Sequence, residues 1–241
     1  MQPVAIGIFC KTPAAGQSKT RLSPPLRPDE CARLSACFIR DLAATIGEVA
    51  RDGSATGYAI YTPAGSEAAV RVLLPPGFRL LLQCQGEFGA RLATATRELL
   101  AAGHAGAILV NADSPTLPAA ILRAAIDATR QGGVVLSPAL DGGYTLIGLS
   151  RPHARLFEDI PWSTSGVHQA TVERAAEIGV PVANVPGWYD VDDSDALALL
   201  QSELAGEPLP FAQAGLRGAA APATRSYLAA REAPLRARSA R

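Results

Sequence analysis

Two cations in a loop of small residues are the first side chains of this chain that could do chemistry. Lys19 and Arg21 follow Gly16 in the segment KTPAAGQSKTRL, residues 11–22. Small residues let backbone N–H groups approach an anion closely, and cations neutralise its charge. We therefore predict that Gly16, Lys19 and Arg21 bind phosphate groups, with Lys19 and Arg21 also acting in catalysis. The alternative is an ordinary solvated surface loop.

Two familiar phosphate-binding motifs are excluded by the same segment. The P-loop pattern G-x-x-x-x-G-K-[ST] needs glycines where this chain has Pro13 and Ser18. The dinucleotide fingerprint G-x-G-x-x-G does not follow the first apolar run of the sequence. The segment instead contains A-G-x-x-K-T-R-L, so the predicted phosphate loop is of another kind.

Asp113 is a candidate metal ligand and catalytic residue because it follows an apolar run. Ala107–Val110 is typical of a buried strand, and it leads into the segment NADSP, residues 111–115. Pro115 prevents the strand from continuing, which would leave the carboxylate at the rim of the sheet. A carboxylate facing a phosphate site usually holds Mg²⁺, and we predict Mg²⁺ or Mn²⁺ here. The alternative is that Asp113 or Ser114 caps the next helix.

A second acidic segment, YDVDD, could complete the same metal site. Asp190 and Asp192 flank Val191, and alternate residues of an extended segment share a face. We predict that Asp192 and Asp190 join Asp113 as metal ligands. The alternative is capping of the helix that begins at Ser194, a role that Asp193 could also fill.

A glycine-containing loop and one arginine are further candidates for ligand binding. Asp141, Gly142 and Gly143 follow a predicted strand, and two glycines allow the backbone to approach a ligand closely. We predict a substrate loop, although D-G and G-G are also strong hairpin-turn signals. Arg91 begins a predicted helix and could hold a phosphate or a base, or it could be a surface arginine.

Apolar runs that alternate with helical stretches predict the elements that carry these residues. A chain of βαβ units predicts an α/β fold with a mostly parallel sheet, at whose carboxyl edge ligands bind. The predicted strands are Val4–Cys10, Gly57–Tyr61, Arg79–Gln83, Ala107–Val110, Val134–Ser137, Thr145–Leu149 and Pro181–Val185.

Composition narrows the class of protein. The chain has 241 residues, 48% hydrophobic and 18% charged, which is enough for one large domain. Its 22 basic and 22 acidic residues balance, which argues against nucleic acid as a partner. The beginning of the sequence lacks a signal-peptide pattern, and no apolar run is long enough to cross a membrane. Four scattered cysteines without a C-x-x-C pair indicate reduced thiols, and we predict a cytoplasmic protein.

The predicted domain organisation is a single transferase domain over 1–205 followed by a tail. Gly, Ala, Pro and Arg dominate the last part of the chain, residues 206–241. This composition predicts a weakly ordered tail, with an anion-binding arm as the alternative.

Six motifs in fixed order resemble one family. They are KTPAAGQSKTRL, QGEFGARL, NADSPTLP, SPALDGGYTLIGL, PWSTS and YDVDD, and they span about residues 4–204. This set resembles the GT-A-type glycosyltransferases called radical-SAM/selenodomain-associated or arsenosugar-biosynthesis transferases. More distantly, it is similar to 2-phospho-L-lactate guanylyltransferase and the molybdopterin-cofactor nucleotidyltransferases.

The resemblance implies a three-layer α/β/α nucleotide-diphospho-sugar transferase fold, GT-A and Rossmann-like, with a mostly parallel mixed sheet. It implies a nucleotide over the first loop, a divalent cation on Asp113 and a second acidic position at Asp192. We also expect Lys11 and Gln85, which lie in two of the motifs, to bind the nucleotide. Two departures stand out: Ala112 replaces a common glycine, and Asp113 lacks the second carboxylate of an Asp-x-Asp motif. In the second respect the chain looks more like a nucleotidyltransferase.

These expectations together predict a Mg²⁺-dependent transferase with a nucleotide-activated donor and a small-molecule acceptor. Glycosyl transfer from a nucleotide-diphospho-sugar is the preferred interpretation. Nucleotidyl transfer from a nucleoside triphosphate to a phosphorylated small molecule requires nearly the same cations and stays open, as does a nucleotide-binding module without turnover. The base, the acceptor and the oligomeric state are not predicted.

Overall fold

One mixed sheet organises the chain. The computed structural model describes residues 2–213 and 215–239, with side chains described up to residue 231. In the described residues the sheet has the order β3-β2-β1-β4-β6-β5-β7. Its strands are β1 (Val4–Lys11), β2 (Ala55–Thr62), β3 (Arg79–Leu82), β4 (Gly106–Asn111), β5 (Val134–Pro138), β6 (Tyr144–Leu149) and β7 (Val182–Asn184). Each predicted strand is present, with small differences at the ends.

The sheet is mostly parallel because helices connect most of its strands. β6 runs antiparallel to both β4 and β5, and the other strand pairs are parallel. The α-helices are α1 (Pro28–Val49), α2 (Glu67–Arg71), α3 (Phe88–Ala101), α4 (Ala119–Gln131), α5 (Val167–Glu177), α6 (Ser194–Ala205) and α7 (Pro222–Ser239). This architecture confirms the predicted α/β fold.

Two hydrophobic layers cover the two faces of the sheet. In β4, Ile108 and Val110 belong to one core cluster, while Ala107 and Leu109 belong to the other. Alternate residues of a strand point to opposite faces, so a continuous apolar run fills both layers. The first cluster contains residues of α1, α4, α6 and α7, and the second contains residues of α3 and α5. The result is the predicted three-layer sandwich.

Strand register brings the functional loops together. β1 lies between β2 and β4, with Phe9 opposite Asn111 and Lys11 opposite Thr62. Since these strands are parallel, the loops that follow β1 and β4 leave the same edge of the sheet side by side. The edge that carries Lys19 therefore also carries Asp113.

The segment predicted to be a weakly ordered tail contains α7. The buried carboxylate of Asp41, on α1, accepts hydrogen bonds from the backbone N–H groups of Ala223 (2.9 Å) and Thr224 (2.8 Å). These bonds satisfy N–H groups that a helix start otherwise leaves unpaired. Leu228 is buried in the same core cluster as α1. The division of the chain into a domain of 1–205 and a tail of 206–241 stays a prediction.

Two further features bear on the expected class of protein. None of the helices in the described part of the chain has the length and hydropathy needed to cross a membrane.

The four cysteines are unpaired, and Cys10, Cys31 and Cys37 are buried, as predicted for reduced thiols.

Candidate active site

The loop after β1 is closed by its own hydrogen bonds. Ala14 accepts from the N–H groups of Gln17 and Ser18 (both 3.1 Å), and the Ser18 hydroxyl accepts from the N–H of Ala14 (3.1 Å). Gly16 has a φ of 70° at the exposed tip, where glycine is favoured. Lys19 also has a left-handed backbone, with a φ of 51°, directly before a 3₁₀ turn over Thr20–Leu22.

The Lys19 ammonium lies between two of the predicted metal ligands. Its Nζ is 2.7 Å from Asp113 Oδ1 and 2.8 Å from Asp192 Oδ1, and it donates to the Val191 carbonyl at 2.7 Å. The lysine side chain is 6% exposed, against 34% for Asp113 and 43% for Asp192. The structure therefore brings these three predicted residues together, and the lysine contacts the two carboxylates. That Lys19 binds phosphate stays a prediction.

Backbone and side-chain contacts lock the two acidic segments against each other. The Val191 N–H donates to the Asp113 carbonyl at 2.9 Å. The fully buried Trp188 donates from Nε1 to the Thr116 hydroxyl at 3.1 Å. Because the bulky Trp188 holds one segment and Thr116 the other, both carboxylates are carried on a packed support.

Helix capping does not explain the position of Asp113 or Asp192. α4 begins after Pro118, which makes no side-chain capping bond. α6 is capped by Asp193, whose Oδ1 accepts from the N–H groups of Asp195 (3.1 Å) and Ala196 (2.9 Å). Asp113 and Asp192 therefore do not act as helix caps, and their carboxylates contact Lys19.

Burial and charge set the protonation of this cluster. Burial alone would lower the pKa of Lys19, but the charges of Asp113 and Asp192 outweigh it and raise that pKa above its ordinary value. Burial, followed by the neighbouring charges of Asp192, Asp141 and Asp113, raises the pKa of Asp190 to about 7. Burial is also the largest influence on Asp113 and raises the pKa of its carboxyl group above the ordinary value.

Replacement of Asp190 by Asn should change the pH dependence of stability. The folded-state pKa of about 7 lies above the unfolded value of about 3.9, so the folded chain binds the proton more tightly. Between these two values the free energy of unfolding falls as pH rises. Denaturant titrations at pH 5 and pH 8 should show this decline in the parent chain and a smaller one in Asp190→Asn. Equal declines in both chains would contradict the prediction, and the exposed Asp195→Asn should behave like the parent.

Two cavities meet at Asp113 and Asp192. The first, the loop cavity, has a volume of about 320 Å³ and is lined by Lys11, Lys19 and Arg21. The second, the aromatic cavity, has a volume of about 360 Å³. Its lining includes the rings and carboxylates of Phe9, Phe88, Tyr144, Trp162, Asp113, Asp141, Asp190 and Asp192. A basic cavity and an acidic cavity therefore share one wall.

Some of the predicted ligand-binding residues line one of the two cavities, and others line neither. Lys11, Lys19 and Arg21 line the loop cavity, and Asp141 and Gly143 line the aromatic cavity. Among the described residues, the walls of the two cavities include neither Gly16, Gln85, Arg91 nor Gly142. Gly16 and Gln85 are exposed. The roles assigned to all of these residues stay predictions.

Arg91 does not line either cavity, and its guanidinium is held by other side chains of the protein. Its Nη1 donates to Gln83 Oε1 at 2.8 Å, and its guanidinium lies 5.4 Å from the ring centre of Phe88 and 5.8 Å from that of Phe9. Gln83 in turn donates to the carbonyls of Cys10 (2.9 Å) and Ile60 (2.8 Å). Arg91 therefore ties the two rings to the edge of the sheet.

The aromatic wall was not predicted from the sequence. Phe88 meets Phe9 edge to face at 5.6 Å and Trp162 at 4.9 Å. Phe88 lies in the motif QGEFGARL and Trp162 in PWSTS, so the motifs contained the signal. Only the fold reveals that residues from β1, α3 and the loop before α5 form one surface.

The segment Asp141–Gly143 is both a hairpin connection and part of the site. It joins the antiparallel strands β5 and β6, and Asp141 Oδ1 accepts from the Gly143 N–H at 2.9 Å. Gly142 has a φ of 90°, and a Cβ there would lie 2.2 Å from the Ser165 carbonyl oxygen. Its own carbonyl accepts from the His168 N–H at 3.0 Å. The hairpin is therefore fastened to the start of α5.

Gly142→Ala should separate the hairpin from the loop before α5. The added methyl group would clash with backbone and occupy a left-handed conformation, which together should lower the free energy of unfolding by about 1–3 kcal/mol. Gly143→Ala is the matched control, since its Cβ would meet only the Asp141 carboxylate, at 3.2 Å. Denaturant unfolding of both variants measures the difference. Equal stability of the two variants would show that the close contact is not required.

A protein-family match covers the middle of the chain. Residues 45–164 match a family described as "Uncharacterized protein conserved in bacteria (DUF2064)". The matched span contains Asp113, Asp141 and Trp162, whereas Lys19 and Asp192 lie outside it. None of the curated protein sequences matches this chain.

Solved structures extend the similarity to nearly the whole chain. A protein of Desulfovibrio desulfuricans G20, provisionally described as a nucleotide-diphospho-sugar transferase, is 25% identical with a TM-score of 0.81, and the match covers 98% of each chain. A CMP:2-keto-3-deoxy-manno-octonic acid synthetase complexed with CTP is 12% identical with a TM-score of 0.54, over 85% of this chain and 99% of that one. A cytidylyltransferase of Leptospira borgpetersenii is 11% identical with a TM-score of 0.51, over 99% and 96%. These likenesses confirm the nucleotide-diphospho-sugar transferase and cytidylyltransferase type of fold.

Proposed function

We propose that this protein is a divalent-cation-dependent transferase that uses a nucleotide-activated donor. The observation that carries the proposal is the contact between a basic and an acidic cavity at Asp113 and Asp192. A donor with phosphates in one cavity and an acceptor in the other would place the bond to be broken at the shared wall. Transferases among the structural neighbours support the same class.

Among the described residues no three acidic, His or Cys side chains lie close enough to hold a metal ion by themselves, so a bound Mg²⁺ or Mn²⁺ would need the donor phosphates as further ligands. Asp113 and Asp192 would hold the cation, with Asp190 nearby, because hard cations prefer carboxylate oxygens. Both Oδ1 atoms now contact the Lys19 ammonium, at 2.7 and 2.8 Å, so a cation bound between them would displace it. A bound cation would neutralise the charge that develops on the departing phosphate group.

The chain's own residues would do the remaining work by position and charge. Lys11 and Arg21 would attract the donor phosphates into the loop cavity, while the loop's N–H groups approach them. Lys19, displaced from the carboxylates by the cation, would then contact the donor phosphates and neutralise part of their charge. The aromatic cavity would hold the acceptor near the reacting bond and reduce its contact with water.

Glycosyl transfer from a nucleotide-diphospho-sugar is the form of the reaction that we prefer. The resemblance over six motifs and the D. desulfuricans structure support it. Nucleotidyl transfer is the second candidate, because Asp113 is followed by Ser114 and Pro115 and not by a second carboxylate. The arsenosugar-biosynthesis type of glycosyltransferase remains part of the proposal.

A thermal-shift panel tests the proposal. Nucleoside triphosphates and nucleotide-diphospho-sugars are each added with and without Mg²⁺ or Mn²⁺. A ligand at about 100 times its dissociation constant adds about 2.7 kcal/mol, or about 5–10 °C in a chain of this size. A cation-dependent shift with a nucleotide-sugar but not with its parent triphosphate supports glycosyl transfer, and the reverse supports nucleotidyl transfer. The absence of any shift would refute the nucleotide site.

A further inference from the structure

Two of the four acidic side chains in the aromatic cavity have no salt-bridge partner among the described residues. Lys19 pairs with Asp113 and Asp192, whereas the salt bridges of the described residues include neither Asp141 nor Asp190. Asp141 accepts from the Gly143 N–H, and Asp190 accepts from Asn111 Nδ2 at 3.4 Å. A divalent cation on Asp113 and Asp192 would leave these other two acidic groups unpaired.

Basic side chains are kept out of the same cavity. Its lining in the described part of the chain contains no Lys, Arg or His. The nearest cation to its rings, Arg91, lies over Phe9 and Phe88 and donates to Gln83, and it is not part of the wall. A phosphate or carboxylate bound beside Asp141 and Asp190 would therefore meet two acidic groups that have no salt-bridge partner among the described residues.

The remaining wall offers apolar rings. Phe88 is 38% exposed although it is a large hydrophobic residue, and it packs edge to face with Trp162. Aromatic faces bind the apolar faces of a ligand and attract cationic groups. Carboxylates accept hydrogen bonds from hydroxyl or ammonium groups.

We infer that the aromatic cavity takes a non-anionic group with hydroxyl or ammonium donors and one apolar face, and that it rejects phosphorylated or carboxylated acceptors. The inference rests on the proposed function, in which this cavity holds the acceptor. It favours glycosyl transfer over nucleotidyl transfer to a phosphorylated small molecule, because the phosphate of the latter acceptor would be repelled by Asp141 and Asp190.

The test uses Trp162 as a reporter in the full chain without nucleotide. Trp188 is fully buried, so changes in tryptophan emission on ligand addition should arise from Trp162. The probes are methyl glucoside, glucosamine and glucose 6-phosphate. Methyl glucoside or glucosamine should change the emission at concentrations at least about tenfold lower than glucose 6-phosphate. Trp162→Phe should remove the signal.

Charge variants decide whether the carboxylates cause this preference. The double variant Asp141→Asn and Asp190→Asn should reduce the discrimination against glucose 6-phosphate, whereas the exposed Asp195→Asn should leave it unchanged. Equal or tighter binding of glucose 6-phosphate to the parent chain would overturn the inference. So would a lack of response to all three probes. Because no nucleotide is present, these results are independent of the thermal-shift panel that tests the proposed function.

Discussion

Asp113→Asn is expected to lower turnover by more than about 100-fold. Its carboxylate lies at the shared wall of both cavities, 2.7 Å from the Lys19 ammonium. The amide keeps the shape but loses the charge that would hold a divalent cation. Even residues that only orient metal ligands typically account for about 10- to 100-fold, so a direct ligand should account for more. The measurement is release of nucleoside diphosphate or pyrophosphate from the donor found in the thermal-shift panel.

The matched control for this variant is Asp195→Asn, on the exposed side of α6. It removes one carboxylate from the same part of the molecule and should keep full turnover. Circular dichroism and denaturant unfolding should show that Asp113→Asn is folded, since the neighbouring backbone bond from Val191 to the Asp113 carbonyl remains. Turnover that survives in Asp113→Asn would contradict the metal assignment.

Lys19→Ala is expected to have opposite effects on stability and on cation binding. Removing the ammonium leaves Asp113 and Asp192 facing each other without a positive charge. Loss of one partner of a buried pair costs about 3–5 kcal/mol, but both carboxylates are about a third or more exposed, so we expect about 1–3 kcal/mol without a metal. The vacated position should then bind Mn²⁺ at least about tenfold more tightly.

Calorimetric titration with Mn²⁺ and denaturant unfolding measure these two effects. Lys11→Ala is the matched control, because it removes a positive charge from the same cavity at an exposed lysine. It should change stability and Mn²⁺ affinity little. Weaker Mn²⁺ binding in Lys19→Ala would show that the lysine supports the cation and does not compete with it for the two carboxylates.

The two variants together separate the candidate functions. A nucleotide-binding module without turnover would tolerate Asp113→Asn, whereas either transfer reaction would not. Lys19→Ala should weaken donor binding in both transfer reactions, because both require charge neutralisation at a pyrophosphate. The acceptor preference of the aromatic cavity then distinguishes glycosyl from nucleotidyl transfer.

Local sequence patterns were enough to predict the strands and helices and the edge of the sheet at which the functional loops meet. Apolar runs such as Val4–Cys10 and Ala107–Val110 predicted strands buried on both faces, and the intervening helical stretches predicted a parallel sheet. Parallel strands end at one edge, which is why Lys19 and Asp113 could be expected together. These are local properties of the chain, since strand and helix periodicities extend over only a few residues.

The contacts between side chains at that edge could not be predicted from local sequence, because they depend on how distant segments pack. Lys19 reaches Asp192 across 173 positions of sequence, and its ammonium takes the place between carboxylates that was predicted for a metal. Arg91 donates a hydrogen bond to Gln83 and lies over the rings of Phe9 and Phe88. Phe9, Phe88 and Trp162 form a wall that no single motif revealed. Such contacts depend on the packing of distant segments and on the balance between burial and charge. Neither quantity is a property of local sequence.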